Sequence, residues 1–122
     1  MPSNKKDEAR EYRISMEIIV DAYGVEEQAM GWYYYLADKI SFPFRARCIK
    51  TLNKSYLCEG EEYIVKQMAP LEECLHEMFV EISWNDREVY VPLFQLQSLD
   101  VDKDTQEAIA DWHYWMAQGY KL

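Results

Sequence analysis

Residues 21–48 read DAYGVEEQAMGWYYYLADKISFPFRARC. Val25, Ala29, Trp32, Tyr33, Leu36 and Ile40 recur at helical spacing, which predicts a helix over 25–40 with one buried stripe. Glu26 and Glu27 fall in its first turn, where the helix dipole favours carboxylates, and Pro43 cannot continue it. Trp32, Tyr33, Tyr34 and Tyr35 form an unbroken aromatic run, an unusual density for a helix in water. Acids surround the run: Glu26, Glu27 and Asp38. The segment anchors a core on one side and shows carboxylates on the other, which points to a hard cation. Beyond Pro43 the texture turns to short β-like pieces, so the same stretch marks the passage from a helical part to a sheet.

Toward the N-terminus, residues 1 to about 9 are polar and expected to fray. Tyr12, Met16, Ile19, Val20 and Tyr23 fit a helix over 10–22. Tyr12, Ile14, Met16, Ile18 and Val20 also alternate, so a strand competes; helix is the reading taken. Gly24 then breaks the element. Toward the C-terminus, strands are expected over 44–50, 62–68, 78–84 and 88–93, with Asn85-Asp86 as a hairpin turn. A last helix is expected over about 105–118, capped by Asp104 with Glu107 completing a capping box. Ala108, Ile109, Trp112, Trp115 and Met116 form its buried stripe, and Gly119 its stop. The predicted fold class is α+β: an N-terminal helical part, a small antiparallel SH3-like sheet of four to five strands, and a C-terminal helix. Residues 10–122 are expected to make one domain.

Composition sets limits. The chain has 122 residues, of which 49 % are apolar, enough for a real core. Thirteen Lys and Arg against 22 Asp and Glu give a net charge of −9. Such a surface repels nucleic-acid backbones and anionic membranes, and leaves a metal cation, a basic protein or plain solubility as its use. No apolar run approaches the ~18 residues of a membrane span. The first residues lack the apolar core of a signal peptide. Cys48, Cys58 and Cys74 are odd in number and widely spaced, which fits free thiols and a cytoplasmic location.

Three acidic constellations stand out. Calcium takes about 6–8 oxygen ligands, so carboxylates matter where they converge. Glu27, Gly31, Tyr34 and Asp38 share one side of the first long helix. Glu27 and Asp38 are about 16 Å apart along the axis, too far to chelate one ion. Asp38 sits at the end the dipole disfavours, which calls for a compensating charge from Lys39, Arg45 or a cation. Glu72-Glu73-Cys74-Leu75-His76-Glu77 follows Pro70 and places three carboxylates in one loop. Cys74 and His76 also admit zinc, although their spacing matches no zinc motif. Asp100, Asp102 and Asp104 imitate the first ligands of an EF-hand loop, with Asp111 at the twelfth position. Thr105 stands where that loop needs Gly, and Asp111 replaces the bidentate Glu. Catalytic signatures are thin: two histidines, His76 and His113, and no GxSxG, HExxH, Gly-rich phosphate loop or CxxC. A non-enzyme is expected.

EIIVDAYGVEEQAMGWYYYLADKISFPFRARC (17–48), MAPLEECLHEMFVEISW (68–84), VPLFQL (91–96) and DWHYW (111–115) resemble the small cyanobacterial-type calcium-binding protein family. The likeness runs from about residue 10 through nearly the whole chain. It implies a cytosolic, non-enzymatic protein that binds Ca²⁺ without EF-hands and buffers or sequesters it. It also implies that Asp38 is a ligand or essential to the site. Physics adds Glu72, Glu73 and Glu77 as partners shared between helix end and loop, with Asp21 and Glu17 weaker. Asp100, Asp102 and Asp104 are candidates for a second, looser site. Leu71 and Leu75 stand in the acidic loop where more carboxylates would strengthen it. The competing reading is an acidic interaction module that docks a basic or Pro-rich partner on exposed Tyr34, Tyr35, Trp84 and Tyr90. A small hydrolase is a distant third.

Overall fold

The computed structural model describes residues 7–50, 56–120 and 122. Its first helix, α1, spans Glu8–Arg13 and is capped by Asp7, whose carboxylate accepts from the Arg10 N–H at 3.0 Å. The helix therefore starts inside the stretch expected to fray to about residue 9. It continues into a π-helical turn, Ile14–Ile18. Ile14 and Ile18 are buried while Tyr12, Met16 and Val20 face water. Burial four residues apart is helical, so the alternating pattern that invited a strand does not set the structure.

Helix α2 runs Val25–Lys39 behind Gly24, with Ala29, Trp32 and Leu36 buried and Ile40 packed just beyond its end. Val25, expected in the stripe, is exposed, because it stands in the first turn outside the reach of the core. Gly31 is required by packing: a Cβ there would collide with the backbone oxygen of Ile18. The π-helical turn thus crosses α2 at its one glycine.

Five antiparallel strands follow: β1 Phe44–Cys48, β2 Glu62–Met68, β3 Phe79–Trp84, β4 Arg87–Pro92 and β5 Leu96–Leu99. Their order is β4-β3-β2-β1-β5, so β4 and β5 are the two edges. Along β1, Phe44, Ala46 and Cys48 point inward while Arg45 and Arg47 point out. Asn85 and Asp86 join β3 to β4 with φ of 50° and 62°, the left-handed pair that a two-residue hairpin turn demands. β5 was not among the segments expected as strands. It has four residues between a 3₁₀ turn, Leu93–Gln95, and Asp100, too short to carry its own periodicity. The 88–93 prediction runs into that 3₁₀ turn at Leu93.

Helix α3 spans Lys103–Ala117, and its cap is Asp102 rather than Asp104. Asp102 is extended and its Oδ1 accepts from the Thr105 N–H at 2.7 Å, whereas Asp104 already lies in the first turn. No capping box forms, since the residue three beyond Asp102 is Thr105. Gly119 ends the helix with φ of 88°. Ala108, Ile109, Trp112 and Trp115 are buried as expected, and Met116 is partly so. Trp32 of α2 meets Trp112 at 5.1 Å and Trp115 at 5.5 Å between ring centres, the aromatic heart of the core. Among the described residues no helix is long and apolar enough to cross a membrane.

Candidate metal centre

Two anchor points fix where α2 carries its carboxylate. In mid-helix the Tyr33 hydroxyl donates to the Ala69 carbonyl at 2.7 Å, which ties α2 to the start of the Pro70–Glu77 loop. Just past the helix end, Ser41 N–H donates to Thr105 Oγ1 and Ser41 Oγ donates to Asp102 Oδ2, both at 2.8 Å. Asp38 lies between these anchors, about 7.5 Å along the axis from Tyr33. It is exposed and has no ion pair among the described residues. Arg45, which sequence offered as its counter-charge, pairs instead with Asp100 at 3.0 Å and Glu62 at 3.8 Å.

In the first acidic loop, Glu72 and Glu73 belong to an exposed 3₁₀ turn, Leu71–Glu73. Tyr33's hydroxyl is pushed up chiefly by burial, with smaller contributions from Cys74, Tyr34 and the charge of Glu72, so the loop stands near α2. Glu77 differs from the other two. Its carboxylate is half-buried, and burial pushes it above its ordinary value. No hydrogen bond or ion pair to Glu77 is seen among the described residues. A half-desolvated carboxylate without a protein cation is what a metal ion relieves.

The second acidic stretch is already engaged. Asp100 holds Arg45 with φ of 52°, and Asp102 caps α3. Hydrogen bonds from Thr105 and Ser41 hold the Asp102 carboxyl below its ordinary value. With Ser41 and Arg45 these two acids line an open groove of about 380 Å³. Asp104 is exposed in the first turn of α3, and Asp21 is exposed with φ of 60°. The EF-hand imitation ends at Asp111, which is fully buried and bound to protein cations.

Among the described residues no three His, Cys, Asp or Glu side chains converge on one point. A cation here would draw the rest of its shell from backbone carbonyls, water or adjustment of the loop. Zinc fits poorly: buried Cys74 accepts the Phe79 N–H at 3.3 Å and faces the core, away from exposed His76. Burial raises both the Cys48 and the Cys74 thiol, which keeps them protonated. The oxygen-only donor set suits a hard cation.

The residues that sequence reasoning missed are Arg10, Arg13 and Tyr35, gathered on Asp111. Arg13 donates to Asp111 at 2.6 and 3.3 Å, Tyr35 OH donates at 2.7 Å, and Arg10 lies at 3.4 Å. Tyr35 is therefore part of this buried joint rather than an exposed docking aromatic, and Trp84 is half-buried, its ring tilted at 57° to that of Tyr56. One signal was available: Asp111 sits inside the apolar stripe of α3, a position that tolerates a carboxylate only if it is paired. His113 packs against Phe94 at 5.2 Å, and burial lowers its basicity, so it is a neutral core imidazole.

The domain is small, α+β and acidic, and the oxygen donors on its surface, with one half-buried Glu, are of the kind a hard cation takes. A sequence profile of a family described as calcium binding matches residues 12–116, and the chain belongs to that family. Two solved structures agree with it along their entire lengths. Anabaena CcbP is 50 % identical, with 100 % of each chain covered and a TM-score of 0.87. A calcium-binding protein in its calcium-binding form is 48 % identical, again with 100 % of each chain covered and a TM-score of 0.82. No curated protein sequence matches the chain.

Proposed function

We propose that this protein is a cytoplasmic Ca²⁺ buffer that holds the ion with Asp38, Glu72, Glu73 and Glu77, with Asp21 as a weaker contributor. Asp100, Asp102 and Asp104 form a second, weaker site, because two of the three already serve Arg45 and the α3 cap. The observation that carries this reading is Glu77, half-buried and without a protein cation among the described residues. Membership of the calcium-binding family supports the choice of ion. The carboxylates repel one another in the empty protein, and Ca²⁺ removes that repulsion when it binds. Membership of a family described as calcium binding supports a non-enzymatic role.

Binding to the folded form alone raises stability by about 2.7 kcal/mol at a hundredfold excess of Ca²⁺ over Kd. Titration calorimetry of chelator-stripped protein is expected to show saturable Ca²⁺ binding and weaker Mg²⁺ binding, since Mg²⁺ demands stricter octahedral geometry. Asp38→Asn is expected to weaken Ca²⁺ at least about tenfold, or 1.4 kcal/mol. Undiminished affinity in that variant, or no saturation in the parent chain, overturns the proposal.

Glu77 gives a second, opposite-signed test. Burial holds its folded-state pKa above the ordinary 4.5, so the native state prefers the proton. The contribution of Glu77 to stability is lost as pH rises from the ordinary carboxylate range through that raised value. Glu77→Gln is therefore expected to raise the melting temperature of the calcium-free protein at neutral pH while shrinking the further rise that Ca²⁺ brings. In the parent chain, Ca²⁺ affinity should begin to fall on acidification at a higher pH than exposed carboxylates alone would give. A melting curve that moves the same way with and without Ca²⁺ would remove Glu77 from the site.

A further inference from the structure

Eleven large apolar side chains are exposed among the described residues, and seven of them fall between positions 12 and 34. Tyr23 is 88 % exposed, Tyr12 68 % and Met16 52 %, and Val20, Met30 and Tyr34 are exposed as well. The fold gathers them. Ile14 and Ile18 turn inward, which leaves Tyr12, Met16 and Val20 on the outer side of the same turns. The Ile18 carbonyl rests on Gly31, between Met30 and Tyr34 in α2. Glu27 Oε1 accepts the Tyr23 N–H at 2.9 Å and fixes the connecting turn to the same helix.

Charge on this face has one sign. Residues 14–38 contain Glu17, Asp21, Glu26, Glu27 and Asp38 and no Lys, Arg or His. Arg10 and Arg13, the cations just upstream, are turned to Asp111. An apolar patch this concentrated marks an interaction surface, and its acidic border selects the partner. A second copy of the chain would bring the same five carboxylates against it. An anionic lipid surface would be repelled likewise.

We propose that this face docks a basic amphipathic segment, a helix with apolar side chains along one stripe and Lys or Arg along its flanks. The carboxylates steer the approach, and the flexible thioethers of Met16 and Met30 adapt to the apolar stripe. Its apolar residues lie outside the Glu72–Glu77 loop, while Asp21 and Asp38 on its border are shared with the proposed Ca²⁺ ligands, so the peptide is tested on calcium-free protein.

Fluorescence anisotropy with a labelled synthetic helix of Leu and Lys, Leu placed at helical spacing, tests the proposal on calcium-free protein. A scrambled peptide of the same composition is the reference. The amphipathic peptide is expected to bind at least about tenfold more tightly than the scrambled one. Met16→Gln with Tyr23→Gln is expected to weaken it about tenfold. Glu17→Gln with Glu26→Gln should weaken it and flatten its salt dependence. All four side chains are exposed, so the fold is kept, as a thermal melt of each variant would show. Ile64→Gln with Tyr90→Gln, on the sheet, should leave affinity unchanged. No binding, equal binding of the scrambled peptide, or equal loss in the sheet variant overturns the proposal. So does self-association of the free protein that disappears in the Met16/Tyr23 variant, which would assign the face to a second copy.

Discussion

Replacement of Asp111 by Asn is expected to lower the unfolding free energy by about 3 kcal/mol, at the lower end of the cost of breaking a buried ion pair. Asn keeps the volume but removes the charge that Arg13 holds at 2.6 Å and Arg10 at 3.4 Å. The Asp111 carboxylate is fully buried, while both arginines keep about a quarter of their side chains in water. The guanidinium groups keep Asp7 at 3.7 Å and Glu107 at 3.8 Å and can recover part of their hydration, which sets the lower end. The network joins three helices: Arg10 and Arg13 in α1, Tyr35 in α2, Asp111 in α3. Asp111 is the strongest influence holding the Arg13 proton on, and burial followed by Asp111 raises the Tyr35 hydroxyl. Urea denaturation is the measurement. A loss below about 1 kcal/mol, the range of exposed ion pairs, would show that the joint is solvated and dispensable.

Trp32→Ala is expected to cost about 4 kcal/mol, and Trp32→Phe far less. The indole is fully buried and sits between Trp112, Trp115 and Tyr35, with ring centres 5.1, 5.5 and 6.1 Å away. Alanine would leave a cavity bounded by two stiff aromatic side chains of α3 that cannot collapse into it. Phenylalanine keeps the edge-to-face contact, and it sacrifices no hydrogen bond, because Trp32 Nε1 has no partner among the described residues. Equal losses in the two variants would mean that the indole N–H is satisfied after all.

α2 and α3 were legible because each has a dense apolar stripe, and Trp32, Leu36, Ala108, Trp112 and Trp115 are buried as their spacing requires. In the first helical stretch the expected stripe was the wrong one, since Tyr12, Met16, Val20 and Tyr23 are exposed, Ile14 and Ile18 are buried, and the helical part ends at Ile18. The Asn85-Asp86 turn was legible because few residues adopt two successive positive φ values. β5 was not, since four residues hold no period, and the α3 cap was misplaced by two because the acids at 100, 102 and 104 look alike in sequence. Sequence offered the site only as carboxylate donor chemistry, and the arrangement of those carboxylates leaves no spacing to read. Asp38 is 34 residues from Glu72 in sequence, and only the fold shows that Glu77 is half-buried while Asp100 and Asp102 are occupied. The Asp111 joint escaped because ion pairs between distant helices leave no spacing to read.

The position of β1 in the sheet has a kinetic consequence. β2, β3 and β4 form a run of hairpins whose partners are close in sequence, so loop closure costs them little. β1 faces β2 on one side, but its other side pairs Arg45 with Leu99, a partner that emerges from the ribosome only after the hairpins are complete. α3 follows β5 directly and brings Thr105 and Asp102 to Ser41, beside Asp38. The residues that hold the end of α2, Asp102 and Thr105, are thus synthesised after every strand of the sheet. The surroundings of Asp38 are therefore complete only once α3 has been made.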